Sequence, residues 1–147
     1  RITPSDIDNI DYEDLIVKAL EIKKDIVERD EKESGDRMLL NFGHTIGHAI
    51  EKLYDYKVSH GECVLKGMAY SLKYSNEFGY LSDLDYKLAL EFLSKAEVSL
   101  TTNFKIEDIL KIVKSDKKAD GDMVNFVFAK GFGLSVIEKI EISKLAK

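Results

Sequence analysis

Apolar residues recur at helical spacing over most of the chain, and only the last part changes period. From Tyr12 to Arg29, the residues Leu15, Ile16, Ala19, Leu20, Ile22, Ile26 and Val27 fall three or four apart, which predicts an amphipathic helix. Asp11 stands at the N-cap position, and Glu13 and Asp14 put negative charge in the first turn, where the helix dipole favours it. The charged run from Asp30 to Gly35 predicts a break. Three further patterns predict helices from Arg37 to Leu53, from Gly61 to Phe78 with Gly79 as its stop, and from Leu84 to Ala96. Ile106 to Ser115 predicts one more. The pattern then becomes β-rich: Met123 to Ala129 and Leu134 to Ile137 flank Lys130-Gly131-Phe132-Gly133, which predicts a hairpin. The expected architecture is mainly α, a bundle-like helical domain over residues 1–147 with a small C-terminal β-hairpin. The polar opening around Pro4, the single proline, reads as a linker or loop.

Composition narrows the function. With 147 residues, 44% hydrophobic and 33% charged, the chain can bury its own core without disulfide staples. A formal net charge of −5, with its basic residues scattered, argues against a nucleic-acid partner. No apolar run approaches the roughly 20 residues that span a bilayer, so no membrane partner is expected. The opening Arg-Ile-Thr-Pro-Ser-Asp is not a signal peptide. The single Cys63 cannot form an internal disulfide, which suits a cytoplasmic protein, and its default reading is a small buried apolar residue. Arg1 is not an initiator Met, so the chain is expected to begin inside a longer protein or after processing.

The chemistry concentrates between Glu33 and Met68. At about 100° per residue, with Arg37 as origin, Asn41, His44, His48 and Glu51 all fall within about 40° of it, a polar stripe roughly 80° wide. Leu39, Phe42, Ile46, Ala49, Ile50 and Leu53 occupy the other side. Gly43 and Gly47 edge the stripe. Each costs up to about 1 kcal/mol in a helix interior relative to Ala, so something must approach the backbone closely there. His60 follows at the start of the next helix, and all 3 histidines of the chain lie between positions 44 and 60. A turn and a returning helix would bring His60 beside His44, and such imidazoles suit zinc, cobalt or nickel. A solvated face carrying an i, i+4 histidine pair is the bland alternative. The zinc-protease pattern is excluded, because Thr45 stands where that motif needs its general-base Glu.

The run Leu40-Asn41-Phe42-Gly43-His44-Thr45-Ile46-Gly47-His48-Ala49-Ile50-Glu51 resembles the signature of the 3-dehydroquinate synthase family. His60-Gly61-Glu62-Cys63-Val64 with Gly67-Met68 is similar to its second signature. Lys23, Val27, Asp30-Glu31, Glu33, Gly35 and Arg37 match the approach to the motif, and Asp116-Lys117-Lys118 its closing element. The resemblance covers about residues 12 to 137. Cyclases making deoxy-inosose or valiolone products share the Gly-His-Thr core, while Leu40-Asn41 favours the dehydroquinate branch.

That resemblance implies a lyase of aromatic amino-acid biosynthesis. Its substrate is a seven-carbon keto-acid phosphate (DAHP), and its products are 3-dehydroquinate and phosphate. Bound NAD oxidises a ring hydroxyl, which acidifies the neighbouring carbon. Phosphate then leaves, the ketone is reduced and the ring recloses. Carried onto this chain, the resemblance implies His44 and His60 as ligands of zinc or cobalt, and His48 as facing phosphate or a proton in transit. It implies Asn41 and one of Lys117 and Lys118 as phosphate contacts, Arg37 and Lys23 as partners of the substrate carboxylate, and Glu33 as an acidic partner in the site. Glu51 and Glu62 are candidates for orienting the imidazoles, or are solvated. Two of the family's features have no counterpart here. These are the glycine-rich NAD-binding half, since Gly131-Phe132-Gly133 reads as an ordinary turn, and the third metal ligand, a glutamate further upstream. The chain is therefore expected to need its own N-terminal NAD-binding domain, to be inactive alone, and to hold zinc weakly or not at all. Its self-association is open. The competing readings are a related cyclase, a metal-dependent polyol dehydrogenase domain, and a non-catalytic helical interaction domain.

Overall fold

The computed structural model describes residues 11–32, 35–116 and 121–146. Glu33, Lys117, Lys118 and the opening segment with Pro4 lie outside the described residues. Among the described residues, five α-helices precede a hairpin: α1 (Tyr12–Arg29), α2 (His44–Leu53), α3 (His60–Glu77), α4 (Asp83–Ser94), α5 (Ile106–Asp116), then β1 (Met123–Gly131) and β2 (Leu134–Glu141). A 3-10 turn over Asp36–Asn41 precedes α2, and another over Ile142–Leu145 follows β2. The mainly helical architecture with a C-terminal antiparallel hairpin is the one expected. The hairpin runs further than the apolar pattern indicated, because Ile140 continues the ladder opposite Val124.

Helix α1 starts where Asp11 accepts hydrogen bonds from the backbone N–H groups of Glu13 (3.0 Å) and Asp14 (3.3 Å). Its apolar stripe does not enter the core: Tyr12, Ile16, Val17, Leu20 and Ile22 are all exposed. The core lies instead between α2, α3, α5 and the hairpin, built on Ile46, Ile50, Tyr74, Ile109, Val113, Phe126, Phe128 and Leu145. Polar pins fix the hairpin and the 3-10 turn after it to α3. The Tyr74 hydroxyl donates to the Leu145 carbonyl (2.6 Å), and the Ser75 hydroxyl donates to the Ser71 carbonyl while accepting from the Ala129 N–H (2.9 Å). Buried Lys66 is satisfied by the carbonyl of Ser99.

One expectation is corrected. The helix read from Arg37 to Leu53 is two elements, because the chain breaks at Phe42-Gly43, where Gly43 takes φ +80° before α2 begins at His44. The cause is the approach of α3. A Cβ on Gly43 would come 2.7 Å from the amide N of Met68, and one on Gly47 would come 3.0 Å from the Cys63 carbonyl. A Cβ on Gly67 would overlap the Gly43 carbonyl oxygen and come 2.6 Å from the Gly47 amide N. The close neighbour that the glycines were expected to admit is the backbone of α3.

Gly67→Ala is therefore expected to destabilise the fold by about 1–3 kcal/mol or more, since backbone cannot move aside as a side chain can. Gly61→Ala, with nothing within 4 Å of the added methyl, is expected to be neutral or stabilising by up to about 1 kcal/mol. Denaturant unfolding of the two variants checks this contrast.

Candidate metal and substrate site

The crossing of α2 and α3 sets the histidines. His44 and His48 stand one turn apart on α2 and share a face. The chain then reverses through Asp55 and Tyr56, both in left-handed conformation (φ 52° and 58°). Ser59 caps α3 by accepting from the Glu62 N–H, and His60 is the first residue of that helix. The three imidazoles form a nearly equilateral triangle, with ring centroids 5.4, 5.5 and 5.4 Å apart. Their ligand-capable nitrogens all lie within 4.8 Å of one another.

Neighbours orient two of the rings. His44 Nδ1 faces the Phe42 carbonyl (3.2 Å), and His60 Nδ1 faces the Glu51 carboxylate (3.3 Å). With Nδ1–H donated in each case, Nε2 carries the free lone pair. This donor set fits a divalent ion that favours nitrogen, such as zinc or cobalt. Glu51 thus takes the imidazole-orienting role. Burial lowers the His48 pKa from its ordinary 6.5, helped by positive charge on His44, His60 and Lys52, while Glu51 works the other way. Burial raises the Cys63 thiol above its ordinary value, so this buried group stays protonated and unreactive at neutral pH.

Beside the triangle lies a cavity of about 560 Å³ bordered by Lys32, Asn41, His44, Thr45, His48, Asp116 and Asn125, with Met38, Val113, Val127 and Ile137 as its apolar wall. Asn41 reaches this cavity from the 3-10 turn rather than from a continuous helix. Arg37 does not border it: its guanidinium donates to the Glu31 carbonyl (2.8 Å) and its backbone N–H to Asp30 (3.0 Å). Lys23 lies on the exposed face of α1, also away from the cavity. The single stripe expected to hold Arg37 and Asn41 with the histidines fails because the backbone turns at Gly43. Among the described residues no hydrogen bond joins the Glu62 side chain to the three rings; its backbone N–H bonds Ser59.

Sequence reasoning missed Lys32, Asn125 and Asp116 as cavity residues. Asn125 carried a signal, as the polar residue of an apolar strand; its alternation with Val124 and Phe126 turns it from the core toward Met38. Asp116 lay inside the matched Asp-Lys-Lys motif. Its charge is compensated by Lys52 at 2.6 Å, so it does not leave the cavity strongly negative. Gly131-Phe132-Gly133 joins two antiparallel strands, whereas a dinucleotide fingerprint joins a strand to a helix N-terminus.

Comparison with known proteins gives this geometry its family. Crystal structures of 2-deoxy-scyllo-inosose synthase share the fold. One, complexed with carbaglucose-6-phosphate, NAD+ and Co2+, aligns with TM-score 0.66 over 78% of this chain and 33% of that chain, at 22% identity. A second aligns with TM-score 0.63. The chain thus shares the fold of part of these synthase structures. The curated relatives are narrower. The 3-dehydroquinate synthase of Clostridium acetobutylicum is 41% identical over 143 residues, covering 96% of this chain and 40% of its own length. That of Dictyoglomus thermophilum is 36% identical over 148 residues, covering 99% of this chain and 41% of its own length. The chain belongs to the 3-dehydroquinate synthase C-terminal family, whose model matches residues 3–119. It spans about 40% of the length of these relatives.

In the metal-free chain, the His48 imidazole is expected to titrate below 6.5. Its folded-state pKa is lowered, so the stability it supports is complete above the ordinary value and is lost as pH falls through the folded one. Histidine ring NMR across pH 4–8, with His48→Gln for assignment, checks the midpoint.

Proposed function

We propose that this chain is the metal- and substrate-binding domain of a 3-dehydroquinate synthase, a cytoplasmic phosphate-eliminating lyase that converts DAHP to 3-dehydroquinate in the shikimate pathway. The observation that carries this reading is the convergence of three imidazoles from α2 and α3 beside a polar cavity that also presents Asn41 and Lys32. His44 and His60, each with Nδ1 already engaged, would hold the ion. When bound, the divalent metal supplies a Lewis acid for substrate hydroxyls, and NAD supplies a hydride acceptor that is regenerated within the cycle.

The remaining residues bind and orient. Asn41 offers an amide to phosphate or a hydroxyl, and Lys32 places a cation at the cavity edge. His48 is kept largely neutral by its surroundings, so it can accept a proton near neutral pH and return it. Lys117 or Lys118 would add a phosphate contact, and Glu33 an acid. For Arg37 and Lys23 to meet the substrate carboxylate, Arg37 must leave the Glu31 carbonyl and α1 must move; Lys32 needs neither change. NAD would be held by an N-terminal domain, as the 2-deoxy-scyllo-inosose synthase structure carries NAD+ together with Co2+. The exposed apolar residues Ile16, Leu20 and Ile22 of α1 offer that domain a surface. The shared fold keeps a second reading in view, a cyclase acting on a different sugar phosphate.

The full-length protein carrying this domain is expected to release phosphate from DAHP with NAD and zinc or cobalt, without net NADH. Accumulating NADH would identify a dehydrogenase, and turnover only of other sugar phosphates a different cyclase. His60→Ala is expected to lower kcat/KM by about a hundredfold or more, and Asn41→Ala by about tenfold, the value of a hydrogen bond to a charged group. The 147-residue chain alone is expected to show no turnover.

A further inference from the structure

Asp116 stands in an unfavourable place. It is the last residue of α5, where the free carbonyls of a helix end already carry partial negative charge. It also borders the cavity assigned to a phosphorylated keto acid. Among the described residues bordering that cavity it is the one acid; the other polar ones, such as Lys32, Asn41 and Asn125, are cationic or neutral. Lys114, in the last turn of the same helix, does not relieve it, because its ammonium pairs with Asp122 at 2.6 Å. The cation comes from another helix. Lys52 Nζ donates to Asp116 Oδ1 at 2.6 Å, across 64 positions of sequence.

We propose that Lys52 is a positioning residue for an anionic substrate: from outside the cavity it holds the Asp116 carboxylate and cancels its charge, so that the cavity admits a phosphate. This rests on the reading of the cavity as the site of a phosphorylated substrate.

The bland reading is a surface ion pair. The two side chains are 38% and 34% exposed, and such a pair adds little to stability. Placement sets it apart. Lys18–Asp14, Lys24–Glu28, Lys73–Glu77 and Lys111–Asp108 link residues three or four apart on one helix. Lys52–Asp116 instead ties the last turn of α2 to the end of α5. A cation suits both helix ends, so one ammonium serves two dipoles. Lys52 does not itself border the cavity, whereas its partner does. A space of about 560 Å³ is only about 8 Å across, no wider than the Debye length at physiological salt, so salt does not screen the wall from the occupant. Without Lys52, a phosphate dianion in the cavity meets one unbalanced negative charge. With Lys52 it meets a neutral pair, and no cation bordering the cavity is needed to neutralise Asp116.

The test uses the full-length protein carrying this domain. It compares Lys52→Met, Lys52→Arg, and Lys52→Met combined with Asp116→Asn. Calorimetry measures the binding of inorganic phosphate, and steady-state kinetics the turnover of DAHP. Lys52→Met is expected to weaken phosphate binding and to raise KM by about tenfold each, the effect of one unit charge on a dianion about 8 Å away in a near-aqueous dielectric. Its kcat is expected to change by less than about twofold, because the interaction is the same in ground and transition states. Its melting temperature is expected to move by less than about 3 °C, as for any exposed pair. Lys52→Arg keeps the charge and is expected to keep both constants. The double variant is expected to recover both to within about threefold, since the carboxylate that Lys52 answers is gone.

Phosphate bound as tightly by Lys52→Met as by the unaltered protein overturns the proposal, and so does an unaltered protein that binds no phosphate. A double variant as weak as Lys52→Met also overturns it, because Lys52 then acts on the phosphate directly or through its charge on His48. Failure to turn over DAHP removes the substrate reading alone; phosphate calorimetry still decides the role of Lys52 by the same comparisons.

Discussion

The close contact of two backbones, at Gly43 and Gly47 on one side and Gly67 on the other, sets the rest of this structure. Side chains normally keep packed helices 8–10 Å apart. Here no side chain intervenes, and a single methyl on Gly67 would collide with the Gly43 carbonyl. The contact fixes the place of α3 along α2, and with it which residues at the α2–α3 junction face each other. Ile46, Ala49 and Ile50 on one helix and Cys63 on the other bury the surface around it, so apolar burial holds what the glycines permit.

Chemistry follows from that placement. His60, first residue of α3, comes level with a pair of histidines one turn apart on α2. Glu51, a turn beyond His48, lies near enough to orient His60. The break at Gly43 has its own consequence: it leaves the Phe42 carbonyl outside the α2 hydrogen-bond ladder, available to His44. The hairpin completes the site from behind. Its core face packs on Tyr74, and its other face lends Asn125, Val127 and Ile137 to the cavity wall. Helix α1 takes no part in this core and keeps an apolar face exposed, in keeping with a domain that spans only part of the length of its relatives.

Much of this was legible in the residues. Helical periodicity placed α1 to within a residue, because Asp11 and the apolar spacing agree, and the hairpin followed from β-rich runs around Gly131 and Gly133. The triangle of histidines was legible because i, i+4 spacing on one helix and a short turn leave the third histidine few places to go. The stripe from Arg37 to Glu51 was not. Periodicity assumes an unbroken helix; Gly43 and Gly47 announce a close neighbour, but nothing local says that it is α3 or that the helix breaks there. Gly67, the residue responsible, is distant in sequence. For the same reason Arg37 was placed with the histidines and Lys32 was overlooked: both positions depend on how the chain enters the 3-10 turn, which the Asp30 carboxylate sets by accepting from the N–H groups of Gly35 and Arg37. Asn125 was missed because a cavity shared by a helix and a strand is a tertiary fact.

The central claim is that a glycine-mediated helix crossing brings three imidazoles around one point. Anomalous diffraction at the cobalt edge, from crystals of the chain grown with one equivalent of Co2+, locates that point directly. The account predicts a single strong peak about 2.1 Å from a nitrogen of each of His44 and His60, with His48 beside it. A peak elsewhere on the chain, or a His60 ring turned away from the other two, would contradict it.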